Sequence, residues 1–244
     1  MDRRGELLGW EAVGRVDNGR GYCTGTLIAR DVVLTAGHCV HRRSGRPIPA
    51  SELHFKAGYH HGKAIAVRKV TKWVVAPGYK HGKDGRVTTD LMSHDVALLK
   101  LDYKIVSSEA DPFKIQDEVP LGTTVSVVSY GKGRDEVLSR EAKCNIVQVY
   151  VGGVLGMDCN TTSGSSGAPV FVRDGGRSRI LAVVSAGGKG RNGQKIAFAA
   201  PASELVTTLM AKLRNDASRL KPGKGAKRIT IGQRDAGGAR FVKP

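Results

Sequence analysis

No apolar run in this 244-residue chain approaches the roughly 20 residues of a membrane-spanning helix. The first ten residues, MDRRGELLGW, lack the apolar stretch of a secretory leader, so the protein is either cytosolic or shown without its leader. Aromatic residues make up only 5% of the chain, which argues against a surface for stacking nucleic-acid bases, and no nucleic-acid-binding motif is present. Cysteine is scarce, and the four residues lack the C-x-x-C spacing of metal and redox sites. Carboxylates are few as well: 22 Asp and Glu stand against 39 Lys and Arg, a net charge of +17.

The cysteines that are present fall into two local pairs. Four allow three connectivities, and Cys23–Cys39 with Cys144–Cys159 fits a two-domain layout best. Disulfides need an oxidising compartment, so the sequence favours a secreted or periplasmic protein over one with four buried thiols. The length suits one large domain or two small ones with a real core. Part of the positive charge lies at the end: from Lys212 to Pro244, ten Lys and Arg face only Asp216 and Asp235. Such a run is usually a solvated face; adhesion to an anionic surface is the functional alternative.

Short β-branched segments alternate with turn signals over most of the length, among them GTLIA, DVVLTA, AIAVRKV, KWVV, DVALLKL, TTVSVVSY, KCNIVQVYV, APVFV and ILAVVSA. This spacing predicts an all-β barrel or sandwich, and 32 glycines supply the turns. Residues 106–120 are the least strand-like interior stretch and read as a link between two halves. One segment reads as helix, 201–216, with Pro201 and Ser203 as start signals and Leu205, Leu209 and Leu213 recurring every four residues. Residues 218–244 have little core-forming content and read as a loose basic tail.

The stretch DCNTTSGSSGAPVF, 158–171, brings Ser163, Ser165 and Ser166 together. Clusters of this kind are usually turns. A nucleophilic serine also needs a base, and imidazole titrates near neutrality. Among seven histidines, His38 stands apart: it follows the strand-like DVVLTA and precedes Cys39, whose bridge would pin its loop. The base in turn needs a carboxylate to orient it. Asp95 opens DVALLKL, a run apolar enough to be buried, where an unpaired carboxylate is costly. Taken alone, Asp95 reads equally well as a strand-initiating turn residue.

These residues carry a resemblance. GYCTGTLIARDVVLTAGHCV resembles the catalytic-histidine segment of trypsin-like serine proteases, SHDVALLKL their aspartate motif, and SGSSGAPV their GDSGGP nucleophile loop. The motifs occur in the family's order and cover roughly residues 9–201; CTGTLI and SGAPV are most like secreted bacterial members. The resemblance implies two six-stranded antiparallel barrels, 9–108 and 118–200, ahead of the helix (201–217) and basic tail read from the residues themselves. It implies a catalytic set of His38, Asp95 and Ser166, with backbone N–H groups of Gly164 and Ser166 as the oxyanion hole. Ser185 would hydrogen-bond the aspartate, and Gly187 would pair with the substrate backbone. Counting six residues back from Ser166 puts Asn160 at the base of the primary pocket; a shift of two would put Asp158 there.

Several departures modify these expectations. Ser165 replaces the aspartate that, in trypsin-like zymogens, pairs with a newly cut amino terminus, so activity without cleavage at that site is expected. No histidine follows His94, which disfavours glutamate specificity of the kind that uses a pocket-wall histidine, and Ala186 opens the wall beside Ser185; a neutral residue at the cleaved position is expected. The loop KAGYHHGKA lacks the carboxylates with which many members bind calcium, and His60 and His61 would point apart on an extended chain, so no metal or cofactor is predicted. The expected partner is a protein or peptide substrate met by a monomer. A catalytically silent pseudoprotease, or a basic protein binding anionic surfaces, is the alternative.

Overall fold

The alternating segments fold as strands, as the pattern requires. In a computed structural model, which describes residues 1, 4–82, 87–117, 119–174, 176–189 and 193–217, the first half contributes β1 (Val13–Asp17), β2 (Tyr22–Ala29), β3 (Val32–Thr35), β4 (His54–Ala57), β5 (Ala66–Val75) and β6 (Ala97–Leu101). They pair antiparallel in the order β1-β2-β3-β6-β5-β4 and close through β1 and β4. The second half contributes β7 (Thr124–Ser129), β8 (Ser139–Val149), β9 (Leu155–Met157), β10 (Pro169–Asp174), β11 (Arg177–Lys189) and β12 (Lys195–Pro201), closed in the order β10-β11-β12-β9-β8-β7. The fold is therefore all-β, two six-stranded antiparallel barrels. AIAVRKV and KWVV, separate in the sequence reading, belong to the single strand β5, where Ala66, Val70 and Val74 face inward.

Closing six strands demands tilt and local twist, which register shifts provide. One of them, between Val184 and Ala186 of β11, leaves Ser185 out of the ladder with β12. It becomes important below. Helical structure is more than the sequence reading allowed: a short α1 (Thr89–Ser93) forms on an N-cap, Thr88, whose hydroxyl accepts from the Leu91 N–H at 3.4 Å. The longer α2 (Ser203–Ala217) follows directly on β12, which retains Pro201.

Although α2 succeeds the second barrel, it buries Val206, Leu209 and Leu213 in the cluster that holds the core of the first, against β5 and β6. Its Leu205 is only partly buried, so the apolar stripe is tilted one position from the four-residue repeat. The barrels are also joined by Tyr130, fully buried, whose hydroxyl donates to the Tyr59 carbonyl at 2.9 Å. Trp10 and Phe113 pack on Phe171 of β10, with ring centroids 5.2 and 4.6 Å away. The 106–120 link thus contributes core as well as connection. The basic tail, 218–244, lies outside the described residues.

Both expected disulfides form, Cys23–Cys39 and Cys144–Cys159. The second ties β8 to the segment entering the serine-rich loop. Replacing both Cys144 and Cys159 with alanine should lower unfolding free energy by about 3 kcal/mol, the loop-closure value for a loop of this size, read as a lower urea midpoint. A change below about 1 kcal/mol would mean that neighbouring bonds, such as Asn145 N–H to Asp158 Oδ1, already hold the segment.

Candidate active site

Strand β3 ends at Thr35, and the chain turns through a short 3-10 helix, Gly37–Val40, that carries His38. The Cys23–Cys39 bridge fastens this turn to β2. Asp95 sits between α1 and β6, and its side chain is 7% exposed. Its Oδ1 accepts the His38 backbone N–H at 2.8 Å, and its Oδ2 contacts His38 Nδ1 at 2.7 Å. The Ser185 hydroxyl donates to the same Oδ2 at 2.6 Å. The register shift in β11 supplies that last bond, because a bulged residue is re-aimed out of the sheet's regular alternation. Both carboxylate oxygens are thereby occupied, as burial of a charge requires.

The two groups set each other's protonation. Burial pushes the Asp95 carboxyl up, but His38 and the hydrogen bonds outweigh it and hold Asp95 below its usual value. Burial pushes the His38 imidazole down, and the charge and hydrogen bond of Asp95 outweigh that in turn, leaving it raised. With Nδ1–H given to Asp95, neutral His38 presents Nε2 as a proton acceptor.

The serine-rich loop is built on two left-handed glycines, Gly164 (φ 91°) and Gly167 (φ 79°). A Cβ on Gly164 would collide with the Tyr22 ring and the Tyr130 carbonyl; one on Gly167 would collide with Thr35 and Thr24. The loop therefore docks on the strands that lead to His38. Thr24 clamps it twice: its N–H donates to the Ser166 carbonyl and its hydroxyl to the Gly164 carbonyl, both at 2.8 Å. Between those residues, Ser165 is buried, with Oγ 2.9 Å from Ser129 Oγ. With the carbonyls turned toward Thr24, the N–H groups of Gly164 and Ser166 have no acceptor among the described residues.

Ser166 lines a cavity of about 480 Å³ with Ser163, Ser185, Gly187, Lys189 and Lys195. A second cavity, lined by His38, Tyr79, Leu91 and Asp95, shares Ser185 as a wall. Of the expected residues, His38 and Asp95 line one of these cavities and Ser166 and Gly187 the other, with Ser185 common to both. Among the described residues, β11 from Ala186 to Lys189 pairs only with β12, so no other described strand occupies its second edge. Asn160 is not among the cavity residues: it is exposed, and its N–H donates to Glu141 Oε2 at 2.7 Å. Asp158 is turned away as well, accepting from the Asn145 N–H. The Thr161 and Thr162 side of the loop lines the cavity in their place.

Three contributors went unseen in the sequence. Thr24 and Tyr22 flank Cys23 in GYCTGT and carry no motif of their own, and Ser129 lies 36 residues from the serine it meets. Elsewhere, His60 and His61 are not extended: His61 has φ 47°, and the two rings meet at 4.6 Å. Among the described residues, the one group with ligand atoms close enough to share a metal is Cys23, His38 and Cys39, and its sulfurs are spent on the disulfide.

A family model described as Trypsin matches residues 5–209. Hypodermin-A of Hypoderma lineatum is 28% identical over 116 residues, 46% of this chain and 40% of that protein. Trypsin 5G1 of Aedes aegypti is 29% identical over 143 residues, 57% and 48% of the two. The chain thus spans less than half the length of these curated relatives. Among solved structures, a Glu endopeptidase in complex with MPD superimposes with TM-score 0.66 at 21% identity, covering 84% of this chain and 91% of that one. The protease Anisep from Arthrobacter nicotinovorans gives 0.62 at 18%, covering 83% and 94%. At such identity these two likenesses are of fold alone.

Proposed function

Since this chain belongs to the trypsin family, we propose that it is a serine endopeptidase acting through Ser166, His38 and Asp95. His38 Nε2 takes the hydroxyl proton as Ser166 Oγ bonds to the scissile carbonyl carbon, whose oxygen gains the negative charge. The unpaired N–H groups of Gly164 and Ser166 meet that charge. Collapse breaks the C–N bond, and His38 returns the proton to the departing amine, leaving an acyl-enzyme. Water then repeats the sequence and releases the acid. Asp95 stabilises the imidazolium throughout without taking its proton.

The observation that carries this reading is the double commitment of the buried Asp95 to His38, at 2.8 and 2.7 Å, beside the Thr24-clamped Ser166 loop. The acyl side of the substrate pairs along Gly187. Its side chain enters a cavity of hydroxyls with Lys189 and Lys195 and no carboxylate among the described lining residues, which disfavours a cationic residue at the cleaved position. The disulfides support export to an oxidising compartment, secreted or periplasmic. No step requires a cofactor.

Labelling with a fluorophosphonate, followed by peptide mapping, tests the proposal. One adduct per chain is expected, placed on Ser166 by fragment-ion sequencing of the labelled peptide, which also carries Ser163 and Ser165. An intact fold that takes no label, or takes it on Ser163 or elsewhere, would refute it.

A further inference from the structure

The turn Asn18–Gly21 joins β1 to β2, while the helical turn carrying His38 runs on into Arg42 and Arg43. Between these segments lies a cavity of about 400 Å³, lined by Asn18, Arg20, Tyr22, His41, Arg42 and Arg43 with two others. It is separate from both cavities already described, yet its walls belong to the reaction centre. Tyr22 packs so closely on Gly164 that no Cβ could be placed there. His41 contacts the Gly37 carbonyl through Nδ1 at 2.8 Å, one turn from His38. The Cys23–Cys39 bridge joins the two walls.

Position decides which half of a substrate this cavity meets. Ser185 and Gly187 border Ser166 on the side where the acyl half pairs with β11. Tyr22, packed on Gly164, and His41, one turn from His38, stand on the wall of the Ser166 loop that β11 does not supply, and the departing half is assigned to that side. Charge decides what it would hold there. Arg42 is already committed, its Nη2 lying 3.0 and 2.7 Å from the two Glu52 oxygens. Arg20 and Arg43 are exposed, and their guanidinium groups have no acceptor among the described residues. No carboxylate lines the cavity. Two uncommitted guanidinium groups beside an aromatic wall suit a planar, two-oxygen acceptor.

We infer that Arg20 and Arg43 form a leaving-group-side subsite that selects substrates with Asp or Glu at the first or second position after the scissile bond. This rests on the protease reading, and the test separates the two. Fluorogenic peptides with one acyl half, and Glu, Gln or Lys at those two positions, are compared in wild type, R20E/R43E and R20K/R43K. Phosphonate titration of each preparation counts active nucleophiles, so rates are expressed per active site. Wild type should favour Glu over Lys by about tenfold in kcat/KM, an advantage that shrinks with added salt. Charge reversal should invert the order, and the lysine pair should retain part of it. A Glu-to-Lys ratio near one in wild type, or one that survives charge reversal, would overturn the inference while titration still upheld the nucleophile. Absence of both titration and cleavage would instead overturn the protease reading, and the subsite with it.

Discussion

Replacing Ser166 with alanine should lower kcat by about 10⁶-fold and leave KM within a few fold. The adjacent Ser165 cannot take over the attack, because its Oγ is buried and engaged by Ser129. The remaining activity is what the oxyanion donors and substrate positioning supply without a nucleophile, about 10³-fold over water. The loop itself should persist in the variant. Its geometry depends on backbone bonds to Thr24 and on Gly164 and Gly167, none of which involve the Ser166 hydroxyl. Single-turnover kinetics on a peptide substrate gives the answer. A loss smaller than about tenfold would place the nucleophile elsewhere.

Asp95→Asn should cost about 10⁴-fold in kcat and also move the pH profile. An amide whose oxygen accepts the His38 backbone N–H must turn its NH₂ toward Nδ1. That forces the proton onto Nε2, the atom that has to act as base. The profile follows from the opposing influences on His38. In the proposed mechanism the wild type needs neutral imidazole, so kcat/KM should rise with pH through a His38 pKa held above its ordinary value by Asp95. Removing the negative charge leaves burial alone, which favours the neutral ring, so the acid limb should shift to lower pH as the plateau falls. A variant with reduced rate and an unmoved limb would show that Asp95 only positions the ring. Ser185→Ala removes one of the bonds that hold Asp95 ionised; a carboxylate with one donor fewer is a stronger partner for His38, so the acid limb should move slightly the other way, to higher pH.

How much of this was legible beforehand depended on how local the requirement was. The proposed set of His38, Asp95 and Ser166 could be picked out because each sits in a short segment whose composition such chemistry would constrain. The strands were legible from their alternation, and the cysteine pairs from their proximity. What escaped depends on contacts between distant segments. The β11 register shift that aims Ser185 is a property of closing a barrel, and nothing in VVSAGG announces it. Asn160 stands outside the cavity lining, with its N–H on the Glu141 carboxylate; counting back from Ser166 assumes a loop length that the sequence does not display. Ser165, which stands where zymogens carry the switch aspartate, meets Ser129, a residue of another strand that had no marker. Helix α1 has five residues, too few to show a periodicity.

The docking of α2 has a mechanical consequence. The chain leaves the second barrel at Pro201 and immediately seats Val206, Leu209 and Leu213 on the first. Prising the cleft apart would therefore pull these side chains into water, so the helix acts as a clasp that couples the melting of one half to the other. Calorimetry of the intact chain should show a single endotherm, and a cut after Ala202 should lower its midpoint while the packing around Tyr130 and Phe171 still ties the two halves together.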